Sequence, residues 1–314
     1  MPATGYLEQA KCIHQLNLSH LTLKIIMLAN SELILTPDKR IYHLHIKPEQ
    51  IAENIILVGD PGRVEMIGEF FENIEFLERN REFVTLTGLY KGERITAMST
   101  GIGVGNIDIV LNELDALVNI DFDTREIRKD KRVLNLVRIG TSGALQDNIS
   151  IGSYILSKQV IGLDGLLNFQ SDKKKVCEVS LEEAFVESFA GIDNIAHPYA
   201  VSGSEILFSQ FKSEKTFSGI TLTAPGFYGS QGRVLRMELA IPGFNDSLEK
   251  FEFNGQRITN YEMETSALFG YSKLLGHEAM TICLALANRP RKEALKDYQK
   301  EMKGLIEYTL DKLV

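Results

Sequence analysis

The most restrictive feature of this chain is a repeated unit: a short apolar run, a glycine-bearing turn, then apolar residues at helical spacing. Ile55-Ile56-Leu57-Val58 ends at Gly59, and Val64, Ile67, Phe70 and Phe71 follow at the spacing of one helix face. Residues 94–99 read as a second strand, closed by Gly101-Ile102-Gly103-Val104-Gly105. Ile107, Val110, Leu111, Leu114 and Leu117 then share a helix face. Residues 133–139 read as a third strand ending in a Gly140-Thr141-Ser142-Gly143 turn, and 281–287 as a late strand ending at Asn288-Arg289-Pro290. Strands alternating with helices point to an α/β domain around a central sheet. Residues 291–314 carry the pattern of an amphipathic closing helix, a lid on that sheet, and Asn260-Tyr261-Glu262-Met263-Glu264 opens a helix-like stretch.

With 314 residues, 44% of them hydrophobic, the chain is long enough to bury a substantial core. No repeat, low-complexity tract or linker divides it, so 37–314 reads as a single domain and 1–36 as an N-terminal extension. Met27 offers a second start, leaving 1–26 as either a start-site artefact or a segment that packs on the body. The apolar stretch 16–28 is broken by polar residues and lacks a basic flank and a small-residue cleavage site, which argues against a signal peptide. No apolar run approaches the roughly 20 residues of a membrane span. A net charge of -8 argues against nucleic-acid and membrane surfaces as partners. Cys12, Cys177 and Cys283 show neither disulfide nor metal-ligand spacing, which fits a reducing cytoplasm. The charged stretch 121–132, of mixed sign, reads as a solvated loop or helix extension.

In open α/β sheets ligands gather beyond the carboxyl ends of strands, and two glycine-bearing arginine segments fall there. Gly59-Asp60-Pro61-Gly62-Arg63 and Arg138-Ile139-Gly140-Thr141-Ser142-Gly143 combine backbone N–H groups with guanidinium forks suited to phosphate oxygens. Either alone is equally compatible with turn glycines and arginines paired to surface carboxylates. Gly101 to Asn106 is a poor dinucleotide fingerprint, because Asn stands where Gly or Ala is wanted and no ribose-binding acid follows on a strand.

These two segments, together with Arg81-Glu82-Phe83, Ser99-Thr100-Gly101-Ile102-Gly103 and Tyr261-Glu262-Met263-Glu264, occur in the order and approximate spacing of the nucleoside phosphorylase-I family, the purine nucleoside and uridine phosphorylase superfamily. The chain resembles that family from about Tyr42 to its end, and most of all its uridine-cleaving branch. The resemblance implies a three-layer sandwich in which a mixed, twisted central β-sheet is flanked by helices. It implies phosphate held by Gly59, Arg63, Arg138 and Thr141, with Arg81 lent by a neighbouring subunit. Ribose falls to Glu262, Met263 and Glu264, with His43 reaching in from the adjacent subunit.

Phe227-Tyr228-Gly229-Ser230-Gln231-Gly232-Arg233 resembles the segment with which uridine phosphorylases read uracil. Phe227 would stack on the base, and Gln231 and Arg233 would bond its edge. Purine-cleaving relatives carry an aspartate near the end of the late strand, whereas residues 284–289 here hold no carboxylate. Arg289 resembles an arginine that supports the uracil loop. The implied reaction is phosphorolysis of uridine to uracil and ribose 1-phosphate, with Arg138, Glu264 and Arg233 as catalytic groups. The implied assembly is a homodimer, extensible to a hexamer built as a trimer of dimers. Inorganic phosphate is the implied co-substrate; no organic cofactor is implied, and a monovalent cation at the dimer interface would fall on Glu82, Ile102 and Asn106. The long charged stretch 121–132 and Pro225-Gly226 depart from the family pattern. The alternatives are a purine nucleoside phosphorylase or nucleosidase of the same fold, or a non-catalytic nucleoside-binding protein.

Overall fold

The computed structural model describes residues 27–189 and 195–314. The question of residues 1–26 therefore lies outside the described residues. The first strands are β1 (Asn54–Val58), β2 (Asn73–Asn80), β3 (Phe83–Tyr90) and β4 (Glu93–Ser99), followed by the short pair β5 (Ile120–Asp121) and β6 (Glu126–Ile127). After these come β7 (Asn135–Ala144), β8 (Tyr154–Gly162), β9 (Tyr199–Ser202) and β10 (Thr216–Thr223). The last are β11 (Glu252–Phe253), β12 (Gln256–Glu262), β13 (Glu278–Asn288) and β14 (Glu293–Ala294). The helices are α1 (Pro61–Gly68), α2 (Val104–Asn119), α3 (Val179–Ser188), α4 (Glu205–Phe211), α5 (Phe244–Lys250), α6 (Thr265–Leu275) and α7 (Gln299–Leu313).

One mixed sheet runs in the order β11-β12-β10-β8-β13-β7-β1-β4-β3-β2. Its centre is parallel, with β1 between β4 and β7 and β7 against β13. Antiparallel pairs β2–β3 and β3–β4 form one flank. The other flank curls back: Asn260 and Tyr261 of β12 pair antiparallel with Ala144 and Gly143 of β7, closing a ring β7-β13-β8-β10-β12.

Both sheet faces are apolar because both are covered. In β1, Ile55 and Leu57 face a cluster with Ile107, Val110, Leu111 and Leu114 of α2 and Ala267, Leu268 and Phe269 of α6. Ile56 and Val58 face the other layer, with Val64 and Ile67 of α1, Leu207 and Phe211 of α4, and Met302, Leu305, Ile306 and Leu310 of α7. Around the curled flank, Phe185 of α3 and Leu248 of α5 pack on Ile161, Ile220, Leu222 and Ile258. This is the mixed α/β three-layer arrangement expected from the sequence.

Four local readings need correction. Gly140-Thr141-Ser142-Gly143 is not a turn, because β7 continues through it and keeps pairing with β13 up to Ala144. Asn260, Tyr261 and Glu262 end a strand, and only after Glu264 does the helix begin. Residues 121–132 are a solvated loop only in part: β5 and β6 form a hairpin in which Arg125 takes φ 58°, and 128–132 continue as exposed chain outside helix and strand. The closing helix spans Gln299–Leu313, and its inner face is fully part of the core. Among the described residues no helix is long and apolar enough to cross a membrane.

The hairpin also resets the N-terminal boundary of the body. The Arg125 guanidinium donates to the carbonyls of Leu28 (2.7 Å), Ala29 (2.9 Å) and Leu33, and the Leu33 side chain is buried in the core. Residues 28–36 therefore belong to the packed domain. Arg125→Ala removes all three bonds and is expected to destabilise the fold by about 2 kcal/mol, as charge-assisted bonds at a half-buried site contribute. A thermal melt indistinguishable from that of the parent would show that the segment docks without this clamp.

Candidate active site

The site is built where β7 changes partner. Up to Ile139 its free edge pairs with β1, and from Gly143 it pairs with β12. Gly140, Thr141 and Ser142 have no strand on that edge, and the gap opens beyond the carboxyl end of β1. Arg138 and Gly140 lie on one face of β7, two residues apart. The Arg138 side chain runs forward over Gly140, so that a Cβ at Gly140 would stand 2.2 Å from Arg138 Nη1 and 2.6 Å from Cys283 Sγ. Only glycine leaves room for the guanidinium there. Gly140→Ala is expected to displace Arg138 and raise the requirement for an anionic ligand about tenfold, measurable as a phosphate KM. An unchanged value would mean that Arg138 repacks without cost.

Arg138 is 4% exposed and meets two buried carboxylates. Its Nη2 donates to Glu264, and its Nη1 lies 3.5 Å from Glu262 Oε2. Burial opposes its charge, but Glu264 and then Glu262 outweigh burial, and its pKa stands above the ordinary arginine value. Glu264 precedes α6 and also accepts the backbone N–H of Gly103 (2.7 Å), the residue that opens α2. It thus sits where two helix N-termini converge, a favourable place for an anion. Glu262 accepts the N–H groups of Glu264 (2.9 Å) and Thr265 (2.9 Å) and the Thr223 hydroxyl. Its carboxylate thus caps α6; burial pushes its pKa up, with Arg138 opposing.

Arg63, in the first turn of α1, reaches across to the Ile139 carbonyl at 3.4 Å. Its pKa is lowered by burial and then by the charge of Arg138. Nε of Arg63 and both Nε and Nη1 of Arg138 are buried without hydrogen-bond partners. Two neighbouring cations with unpaired donors are the chemistry that a doubly charged anion would need. Asp60 caps α1 through the Gly62 N–H (2.9 Å), which orients this turn.

A cavity of about 940 Å³ joins these groups to the segment Phe227 to Arg233. Gly59, Arg63, Arg138, Thr141, Glu262, Met263, Glu264, Phe227, Gln231 and Arg233 all border it. Gln231 is buried; its Oε1 accepts from Arg233 Nη1 (2.5 Å), and its carbonyl accepts from Arg289 Nη2 (2.9 Å). The Arg233 guanidinium lies 3.8 Å from the Phe227 ring centroid, covering the face on which a base would stack. Burial, then the charge of Arg289, bring the Arg233 pKa down to about 10.

Residues 53–310 match the model of the Phosphorylase superfamily. The chain belongs to that superfamily. Over 271 residues it is 30% identical to the uridine phosphorylase of Thermococcus kodakarensis, covering 83% of this chain and 82% of that one. Its identity to a DeoD-type purine nucleoside phosphorylase of Listeria welshimeri is 26% over 241 residues, covering 76% and 84%. Its fold matches the crystal structure of a Trypanosoma brucei nucleoside phosphorylase that shows uridine phosphorylase activity, with a TM-score of 0.82 and 29% identity. That match covers 90% of this chain and 99% of that one.

Within this phosphorylase fold, two of the sequence-derived site residues stand outside the cavity. His43 and Arg81 fall in one partly exposed cluster. Arg81 lies 5.7 Å from the Tyr42 ring centroid, Tyr42 packs edge-on against His43, and Asn80 donates to the His43 carbonyl (2.7 Å). Glu82, Ile102 and Asn106 border the cavity, and Glu82 and Asn106 both close on Gly101, whose φ is 74°. Their carboxylate, carbonyl and amide oxygens are hard donors of the kind a monovalent cation takes. Sequence reasoning assigned no role to Thr223, which anchors Glu262, or to Tyr261, which borders the cavity and whose hydroxyl is buried without a partner. Tyr261 was visible within its motif. Thr223 was not, since β10 carries no motif.

Proposed function

We propose that this phosphorylase cleaves uridine with phosphate, giving uracil and ribose 1-phosphate. The observation that carries the reading is a single cavity bordered by two arginines, a carboxylate and an amide–guanidinium pair. Arg63 and Arg138 hold the phosphate dianion, aided by Thr141 and the backbone at Gly59. Glu264 and Met263 bound the ribose, while Glu262 fixes the turn that presents them. Phosphate attacks the anomeric carbon from the face opposite the base, and the positive charge that builds on the sugar is stabilised by Glu264 and by phosphate itself. Uracil leaves as an anion whose charge spreads over its carbonyl oxygens, where Gln231 and Arg233 donate. Positioning of two bound reactants supplies the rest of the acceleration.

Leu286 and Ala287 of β13 border the cavity where a purine-cleaving relative would present an acid, and no carboxylate stands at 284–289. This favours a pyrimidine over a purine. The cluster of His43 and Arg81 lies on the outside of the cavity, which supports a homodimer in which each copy completes the other's site. Glu82, Ile102 and Asn106 would hold a monovalent cation at that junction, where its charge would steady the turn beside the phosphate.

Incubation with uridine or inosine, with and without phosphate, and measurement of free base tests the reading. Phosphate-dependent release of uracil is expected. Release without phosphate would identify a nucleosidase, and faster release from inosine would overturn the base assignment. Gln231→Ala is expected to lower uridine kcat/KM about a hundredfold, because the half-buried Arg233 loses the amide that positions it and the base loses that amide too.

A further inference from the structure

Glu113, on α2, lies outside the cavity, yet its carboxylate takes three donors from one segment of chain. The backbone N–H groups of His43 (3.0 and 3.1 Å) and Leu44 (2.8 Å) point to it, and His43 Nδ1 lies 2.7 Å from Oε1. The Glu113 side chain is only 13% exposed and that of His43 28%. A carboxylate at neutral pH only accepts hydrogen bonds, so the contact at Nδ1 requires a proton on that nitrogen. In the neutral ring Nε2 then keeps its lone pair. Tyr42 packs edge-on against the ring and Asn80 holds the His43 carbonyl, which fixes the loop on its other side.

We infer that Glu113 is a positioning residue that sets both the direction and the tautomer of His43, so that Nε2 is offered outward as a hydrogen-bond acceptor. This rests on the reading above, in which His43 serves the sugar of a second copy. A sugar hydroxyl is a donor, and an imidazole fixed with its lone pair outward receives it without rearrangement. Neutralising Glu113 would let the ring exchange its proton between nitrogens, because an amide can donate to Nδ1 as readily as it accepts from it. The backbone N–H groups of His43 and Leu44 would share a single remaining acceptor.

Glu113→Gln, His43→Ala and the double variant, made in the full chain, test this. Nitrogen NMR of the imidazoles should show His43 protonated at Nδ1 in the parent and a mixture of tautomers in Glu113→Gln. The nucleoside KM should rise about tenfold in Glu113→Gln, one hydrogen bond's worth, with the phosphate KM unchanged. In the His43→Ala background the second substitution should add nothing to the nucleoside KM. Unchanged kinetics in His43→Ala would remove His43 from the sugar subsite, whatever the tautomer. A kinetic effect of His43→Ala that Glu113→Gln fails to reproduce, or adds to independently, would overturn the positioning role alone. An Nδ1-protonated ring that persists in Glu113→Gln would overturn it too.

Discussion

Arg138→Met is expected to all but abolish phosphorolysis and to destabilise the fold at the same time. Methionine keeps much of the volume but removes the cation that faces Glu262 and Glu264, both nearly fully buried. Stripping one partner from a buried ion cluster costs about 3–5 kcal/mol, because the charge left behind has neither water nor counter-ion. The raised pKa of Arg138 gives the sign: the folded state holds its charged form more firmly than the unfolded chain does, so the charge favours folding at every pH below the arginine range. On the proposed reading, in which Arg138 holds the attacking phosphate, kcat/KM is expected to fall about a thousandfold. Calorimetric melting together with uracil release measures both effects. A variant that melts like the parent would show that the two glutamates are neutral in the folded protein.

Arg63→Met should behave in the opposite way toward folding. Its pKa is lowered by burial and by Arg138, so the folded state tolerates its charge less well than the unfolded chain does, and at neutral pH that charge opposes folding. Replacing it is expected to leave the phosphate-free melt unchanged or slightly higher. Phosphate use should still collapse, with KM rising about a hundredfold. Added phosphate separates both variants from the parent. Ligand at about a hundred times its dissociation constant adds about 2.7 kcal/mol to the parent, and neither variant should retain that gain. Equal melting losses in both variants would show that Arg63 is a structural cation like Arg138, and an unchanged phosphate KM in Arg63→Met would place the anion receptor elsewhere.

The strand–turn–helix units were legible because their signals are local. Val58 to Gly59 and Ser99 to Gly101 read correctly, since an apolar run and a glycine mark such ends whatever surrounds them. Central strands were harder. β8 and β10 bury Ser157 against Thr221, with their hydroxyls 2.6 Å apart, which breaks the apolar run a buried strand is expected to show. Gly140 to Gly143 misread as a turn because two glycines signal one. Their reason is instead the Arg138 guanidinium lying over Gly140 and the exchange of neighbours along β7. At the site, Arg63 and Arg138 were legible as arginines beside glycines at strand ends and Glu264 as a carboxylate of its motif, whereas Gln231 and Arg233 stood out only through the resemblance to a uracil-reading segment. That Glu262 caps α6 was not decided by the sequence, because a helix cap and a sugar ligand look alike there. The link from Gly103 to Glu264 joins residues 161 positions apart and has no local trace.

The closure of the sheet has a consequence for how the molecule matures. Residues 143 and 144 meet 260 and 261 only when more than a hundred intervening residues have been threaded into place. Contacts of such sequence separation form slowly. Until they form, Arg138 lacks its counter-charges and the end of β7 presents an open edge, the kind of template on which other chains add strands. A nascent chain halted before β12 would therefore be both catalytically inert and adhesive, and competence would arrive in one late step.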